Sequence, residues 1–205
     1  MSTITTDISI LQKKSTNIPP VEELIKIKEE LESTIVDDRM AMGLSAIQIG
    51  IEVPMFVIKK ETGEFLNFID PKIEILGPTN VTVFTEGCLS FPGINVDTIR
   101  YKNIKVTFKK INHENKLVDD CKTFNGILAA AVQHETDHTM GILFLQRAIP
   151  IQRSIKDYKQ EDYVRCVLID GTPDFILPDA EETLLNKKPL DEIKSLQKLK
   201  IGYRV

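Results

Sequence analysis

The stretch that most constrains this chain is Gln133-His134-Glu135-Thr136-Asp137-His138, set inside a longer helical pattern from Asn125 to Gly141. Asn125 is placed as an N-cap, and Gly141 as the residue that ends the helix. Leu128, Ala129, Ala130 and Ala131 lie between them and favour a helix. Residues four apart share a helix face, so His134 and His138 point the same way with Glu135 beside them. Ile127, Ala130, Ala131 and Val132 lead in, and Ile142 to Leu145 follow, so the helix is expected to be buried. Buried imidazoles and a buried carboxylate need partners. One metal ion held by two imidazoles, with a carboxylate able to move protons, is the chemistry this H-E-x-x-H spacing allows. The same spacing also arises by chance on solvated helices.

The chain has 205 residues, enough for one good core and too few for two full domains. The division expected is a metal-binding domain over residues 1–150, with a C-terminal extension over 151–205 packed on it or tethered to it. Apolar residues make up 42% and charged residues 27%, ordinary for a globular chain. A net charge of −4 and a pI near 5.5 argue against a general nucleic-acid binder, and no specific DNA binding is expected. The N-terminal stretch has no apolar core of a signal peptide, and no apolar run approaches membrane-spanning length. A reducing cytoplasm is the expected location. There, Cys88, Cys121 and Cys166 are more often thiols or metal ligands than disulfides.

Taken in order, residues 1–18 read as a loosely packed polar arm. Leu24, Ile27, Leu31, Ile35 and Met42 predict a helix from Val21 to about Met42. Ala41 to Gly50 is rich in small residues and carries one amide of useful reach, Gln48. Strands are expected over 53–58 and 65–69, ended by Pro71. Hairpins are expected from 72–76 with 81–85 and from 104–111 with 116–123. Short strands are expected over 142–145 and 163–169, and a last helix over 189–200. This order predicts an α+β fold with antiparallel sheets packed around the central metal-binding helix.

A metal on His134 and His138 needs a third ligand. Cys88 stands out, because Gly87 precedes it and Phe91-Pro92-Gly93 follows in what reads as a rigid loop. Cys121 and Cys166 read as small core residues, and His113 as an exposed residue of a hairpin loop.

Three stretches carry a family resemblance. Gly43-Leu44-Ser45-Ala46-Ile47-Gln48, Glu86-Gly87-Cys88-Leu89-Ser90 and Gln133-His134-Glu135-Thr136-Asp137-His138 resemble the three motifs of peptide deformylase, in the family's order and at similar spacings. The resemblance covers about residues 8–148. The first motif departs from the family pattern at Ala41, Ser45 and Ile47, while Gln48 is kept.

The resemblance implies a hydrolase that removes the formyl group from N-formylmethionyl peptides. It implies Cys88, His134 and His138 as ligands of one divalent ion, with a coordination position left open. Fe2+ is the native ion it favours, and Zn2+, Ni2+ or Co2+ also suit a mixed thiolate and imidazole set. It assigns Glu135 as general acid and base, and Gln48 with the Leu89 backbone N–H as donors to the oxyanion. Met42, Gly43, Phe91, Ala130 and Ala131 are candidates for the substrate side. Glu86 and Asp137 are expected behind the ligands, with Arg100 as a candidate partner.

Two other functions compete. A metalloprotease would take a downstream acidic ligand such as Glu161. A closed structural zinc site would need Cys121 or His113 beside Cys88. Residues 185–205 carry six basic side chains against Asp191 and Glu192, a net +4 that could favour docking on the ribosome.

Overall fold

The computed structural model describes residues 2–77 and 81–148, and the backbone of 165–169 and 172–176. The expected helix over 189–200 lies outside the described residues. The chain divides into two compact units, Met1–Thr82 with Arg100–Ile142, and Val83–Ile99 with Leu143–Val205.

The first unit opens with a short helix, α1 (Ile8–Leu11), capped by the Asp7 side chain on the Ser9 N–H at 2.8 Å. The arm is not loose, because Ile8 and Leu11 are buried. The Thr5 N–H donates to the Gln48 carbonyl, and the Ser15 N–H to the Thr139 carbonyl. Helix α2 (Val21–Ile35) follows Pro20, with Glu22 and Glu23 in its first turn and Leu24, Ile27, Leu31 and Ile35 as its buried stripe. It stops at Ile35, short of the expected Met42. The Asp38 carboxylate accepts the Met40 and Ala41 N–H groups, a side-chain turn that competes with further helix. The Lys59 ammonium donates to the carbonyls of Ile35, Val36 and Asp38.

A five-stranded antiparallel sheet fills this unit. Its strands are β1 (Gly43–Ser45), β2 (Met55–Lys59), β3 (Phe65–Ile75), then β6 (Asn103–Ile111) and β7 (Leu117–Asn125), in the order β1-β2-β3-β6-β7. Between β1 and β2 a 3-10 turn covers Ala46–Ile49. Strand β3 does not end at Pro71. Ile69 pairs with Lys109 and Lys72 with Thr107, so β3 spends one residue more than its partner. Asp70 takes a left-handed φ of 49° there, and this bulge accommodates a proline that has no N–H to donate. The expected pairing of 72–76 with 81–85 is replaced by pairing of 72–75 with β6.

Helix α3 (Gly126–Thr139) packs on β1, β2, β6, β7 and the 3-10 turn. Phe56, Phe68, Phe108 and Phe124 from the sheet meet Ala129 and Val132 of the helix in one buried cluster. Asn125 takes the N-cap position without a side-chain cap bond. Gly141 closes the other end at φ 73°, with its N–H on the His138 carbonyl and that of Ile142 on the Asp137 carbonyl. The class is α+β.

Strands β4 (Val81–Cys88) and β5 (Phe91–Tyr101), whose residues 83–99 belong to the second unit, form a two-stranded sheet joined by Leu89 and Ser90. Strand β5 was not expected. Its inward positions run Ile94, Val96, Thr98, Arg100, so the buried face changes from apolar to polar midway and its period is masked. Residues 142–145 are not a strand. Phe144–Arg147 form a 3-10 turn, with the Gln146 side chain accepting the Leu143 N–H at 2.7 Å. Ala148 bridges to Thr98. Backbone strands β8 (Arg165–Ile169) and β9 (Thr172–Ile176) pair antiparallel.

Candidate active site

Helix α3 is buried on almost every side from Ala129 onward, which is unusual for a segment with this many polar residues. His134 is 8% exposed, Glu135 5% and His138 1%. The imidazoles sit one turn apart with ring centroids 5.1 Å apart. Gln133 fixes the helix to its neighbour: its side chain accepts the Tyr101 N–H at 3.0 Å and donates to the Tyr101 and Ala129 carbonyls at 2.9 Å. The chance reading of the motif as a solvated face is excluded by this burial.

Asp137 is tied down by a buried ion pair. The Arg100 guanidinium donates to its Oδ2 at 2.6 Å, with side-chain exposures of 1% and 5%. The expected partnership of Arg100 with Asp137 is therefore present.

Gln48 is 2% exposed at the third position of the 3-10 turn. Its Oε1 accepts the Ser45 N–H at 2.9 Å. That bond sets the amide's orientation, with its NH2 group on the opposite side. Ser45, one of the departures in the first motif, is fully buried and donates from Oγ to the Met55 carbonyl at 3.3 Å. The role of Ser45 and of the Lys59 clamp on residues 35–38 could not be read from the sequence, because both act through backbone groups.

Gly43 opens β1 opposite Ile58. A Cβ there would lie 2.8 Å from Glu135 Oε1. Met42 precedes it, and its carbonyl accepts the Lys59 N–H. Ala130 is buried in α3, while Ala131 packs against the sheet's aromatic cluster.

In the second unit, Cys88 is the last residue of β4 rather than part of a loop. A Cβ on Gly87 would meet Asn95 Oδ1 at 2.7 Å, so the glycine lets β5 run close. The Thr98 hydroxyl donates to Glu86 Oε1 at 2.6 Å. Thr98 went unnoticed in the sequence, although its place on the inward face of Ile94 and Val96 was the available signal. Leu89 lies in the two-residue link, and Phe91 is buried against Phe144 with ring centroids 5.6 Å apart.

Cys121 is an exposed residue of β7, not a core residue, and its face alternates with charged neighbours. His113 is exposed in the β6–β7 turn, as expected. Among the described residues, neither belongs to a group of side chains that could hold a metal ion. Glu161 and the side chain of Cys166 lie outside the described residues. No helix among the described residues is long and apolar enough to cross a membrane.

Comparison with known proteins bears directly on this arrangement. The family model for polypeptide deformylase matches residues 2–154. A peptide deformylase of Prochlorococcus marinus is 32% identical over 164 residues, covering 76% of each chain. Among solved structures, the peptide deformylase of Thermotoga maritima aligns with a TM-score of 0.64 and 32% identity, over 73% of this chain and 99% of that one. That of Synechococcus elongatus, solved in complex with actinonin, aligns at 0.63 and 29% identity, over 71% and 77%. With its three motifs placed as described, the chain belongs to the peptide deformylase family.

Proposed function

We propose that Cys88, His134 and His138 hold one divalent metal ion and that Glu135 carries the protons in this family's reaction. The chain is an enzyme that hydrolyses the N-formyl group from the N-terminal formylmethionine of newly made polypeptides and releases formate. The family is metal-dependent, and one thiol with two imidazoles is a donor set that could hold a metal ion. The observation that carries the reading is the burial of His134, Glu135 and His138 on one helix.

The donors fit the ion by chemistry. Thiolate and imidazole together suit ferrous iron, zinc, nickel or cobalt, and iron is our proposal for the native metal. When bound, such an ion supplies Lewis acidity that makes water a nucleophile near neutral pH. Glu135 takes a proton from water and delivers it to the nitrogen that leaves as the formyl C–N bond breaks. The Gln48 amide and the Leu89 N–H donate to the oxygen on which charge develops. Met42, Phe91 and Ala130 form the substrate side, while the space beside Gly43 is taken by Glu135 and Ala131 packs on the aromatic cluster. Arg100 steadies Asp137 behind His138, and Thr98 steadies Glu86 behind Cys88. The cytoplasm, where formylated chains are made, is the proposed location.

The test is formate release from formyl-Met-Ala-Ser, with metal analysis of protein purified without oxygen. Glu135→Gln should keep its metal and lose about 10²–10⁴ in rate. Cys88→Ala should lose metal as well. A Glu135→Gln enzyme that keeps its metal and works within a few-fold of wild type would overturn the assignment.

The basic tail is proposed to dock on the ribosome, supported by its net +4 on a chain of net −4. Deleting residues 186–205 should spare short-peptide activity and weaken salt-sensitive ribosome association. Equal binding by both proteins would end that idea.

A further inference from the structure

Gly43 does not adopt the left-handed backbone that reserves a position for glycine, unlike Gly50, Gly63 or Gly141. Conformation therefore gives no reason for glycine at the start of β1. Space does. A methyl built on its Cα would stand 2.8 Å from Glu135 Oε1, 2.9 Å from Glu135 Cγ and 2.9 Å from Ile58 Cδ1. All three distances are shorter than carbon contacts allow, since such atoms sit about 3.5–4.0 Å apart at optimum. The contact on one side is the stem and head of the proposed acid-base residue. On the other it is Ile58, the residue paired with Gly43 across β1 and β2. A side chain here has no direction in which to yield without moving one of them. Ile58 is fully buried in the sheet's core, and Glu135 is 5% exposed on a helix fixed to its neighbours.

We propose that Gly43 is a positioning residue for Glu135: the missing Cβ is the space in which the carboxylate's stem lies, and filling it displaces the carboxylate. This rests on the reading of Glu135 given above. It differs from a role of Gly43 in admitting substrate, because it acts through Glu135 and not through the peptide. The three atoms nearest the added methyl belong to Glu135 and Ile58, none of them to His134, His138 or Cys88.

The experiment is a double-mutant cycle on Gly43→Ala and Glu135→Ala, read in formate release, metal content and thermal melting. Gly43→Ala alone should retain its metal and lose roughly 10²-fold or more in kcat, the scale on which misplacing a reacting group by about 1 Å acts. Its KM should change less than about three-fold. In the Glu135→Ala background, which removes Cγ and the carboxylate, Gly43→Ala should cost less than about three-fold in the residual rate. The cycle also covers misfolding: if Gly43→Ala melts early, Glu135→Ala should restore its melting temperature. The inference is overturned by a loss that persists unchanged in the Glu135→Ala background, by a loss carried in KM, by an unaffected Gly43→Ala enzyme, or by failure of both Gly43→Ala proteins to fold. Near-wild-type activity of Glu135→Ala alone would instead sink the acid-base assignment, so the two failures are told apart.

Discussion

Replacing Arg100 with Met should unfold this enzyme more readily than any surface change. Arg100 is 1% exposed and Asp137 4%, and one guanidinium nitrogen lies 2.6 Å from Oδ2. Two unit charges about 4 Å apart at an effective dielectric near 20 attract by about 4 kcal/mol. Met keeps much of the volume but strips the cation from a carboxylate that stays buried. Breaking such a pair from one side costs about 3–5 kcal/mol, because a charge is left behind. Domains are stable by only about 5–15 kcal/mol, so this is a large share. In a chain of this size about 2–4 °C of Tm follows each kcal/mol, a fall of roughly 6–20 °C. Urea titration at saturating metal is the assay, on Arg100→Met, Asp137→Leu and the double variant. The double variant should recover most of the loss, since apolar replacement of both partners is often neutral. An Arg100→Met protein within about 1 kcal/mol of wild type, or a coupling energy near zero, would refute the reasoning.

Lys59→Met removes three hydrogen bonds to the carbonyls at and just beyond the end of α2 and should cost about 1–2 kcal/mol by thermal melting; an unchanged Tm would show that water serves those carbonyls equally well. Ala131→Phe should overpack the aromatic cluster and cost about 1–3 kcal/mol in urea, and an unaffected midpoint would place Ala131 elsewhere. The Asp120 carboxylate is held below its ordinary value of 3.8, chiefly by the hydrogen bond from Lys110. Its folded pKa is the lower one, so its contribution is complete above the unfolded pKa and fades as pH falls through the folded one. Asp120→Asn should therefore flatten the acid side of a Tm-against-pH curve by an amount worth under about 1 kcal/mol, and parallel curves would contradict this.

The helix that carries the chemistry could be read from the sequence almost to its ends, because caps, alanines and the four-residue spacing of His134 and His138 are local signals. The β6–β7 hairpin was equally legible, since Asn112 to Asn115 mark its turn. Strand β5 was not, because Thr98 and Arg100 occupy inward positions for the sake of Glu86 and Asp137. Nor was the pairing of β3 with β6 past Pro71, which depends on a bulge at Asp70 that no propensity announces. Gln48 could be named from its motif, but the Ser45 N–H that turns its amide is a backbone donor and leaves no trace in residue type. The crowding of Gly43 by Glu135 joins residues ninety-two positions apart and needed coordinates.

The N-terminal arm has a consequence for the order in which the molecule is finished. Its backbone bonds reach the carbonyls of Gln48 and Thr139, and Gly141 packs against the Gln12 carbonyl. During synthesis, at about 5–20 residues per second, the arm leaves the exit tunnel before the helix end that it fastens. The helix end it fastens emerges more than a hundred residues later. For several seconds the part of the arm that fastens Thr139 and Gly141 has no place to bind, and it docks only after residue 141 has appeared. A tag or fusion that delays that docking would leave both the Gln48 turn and the end of α3 unfastened, so N-terminal extensions should slow the appearance of activity in a cell-free translation more than they lower its final level.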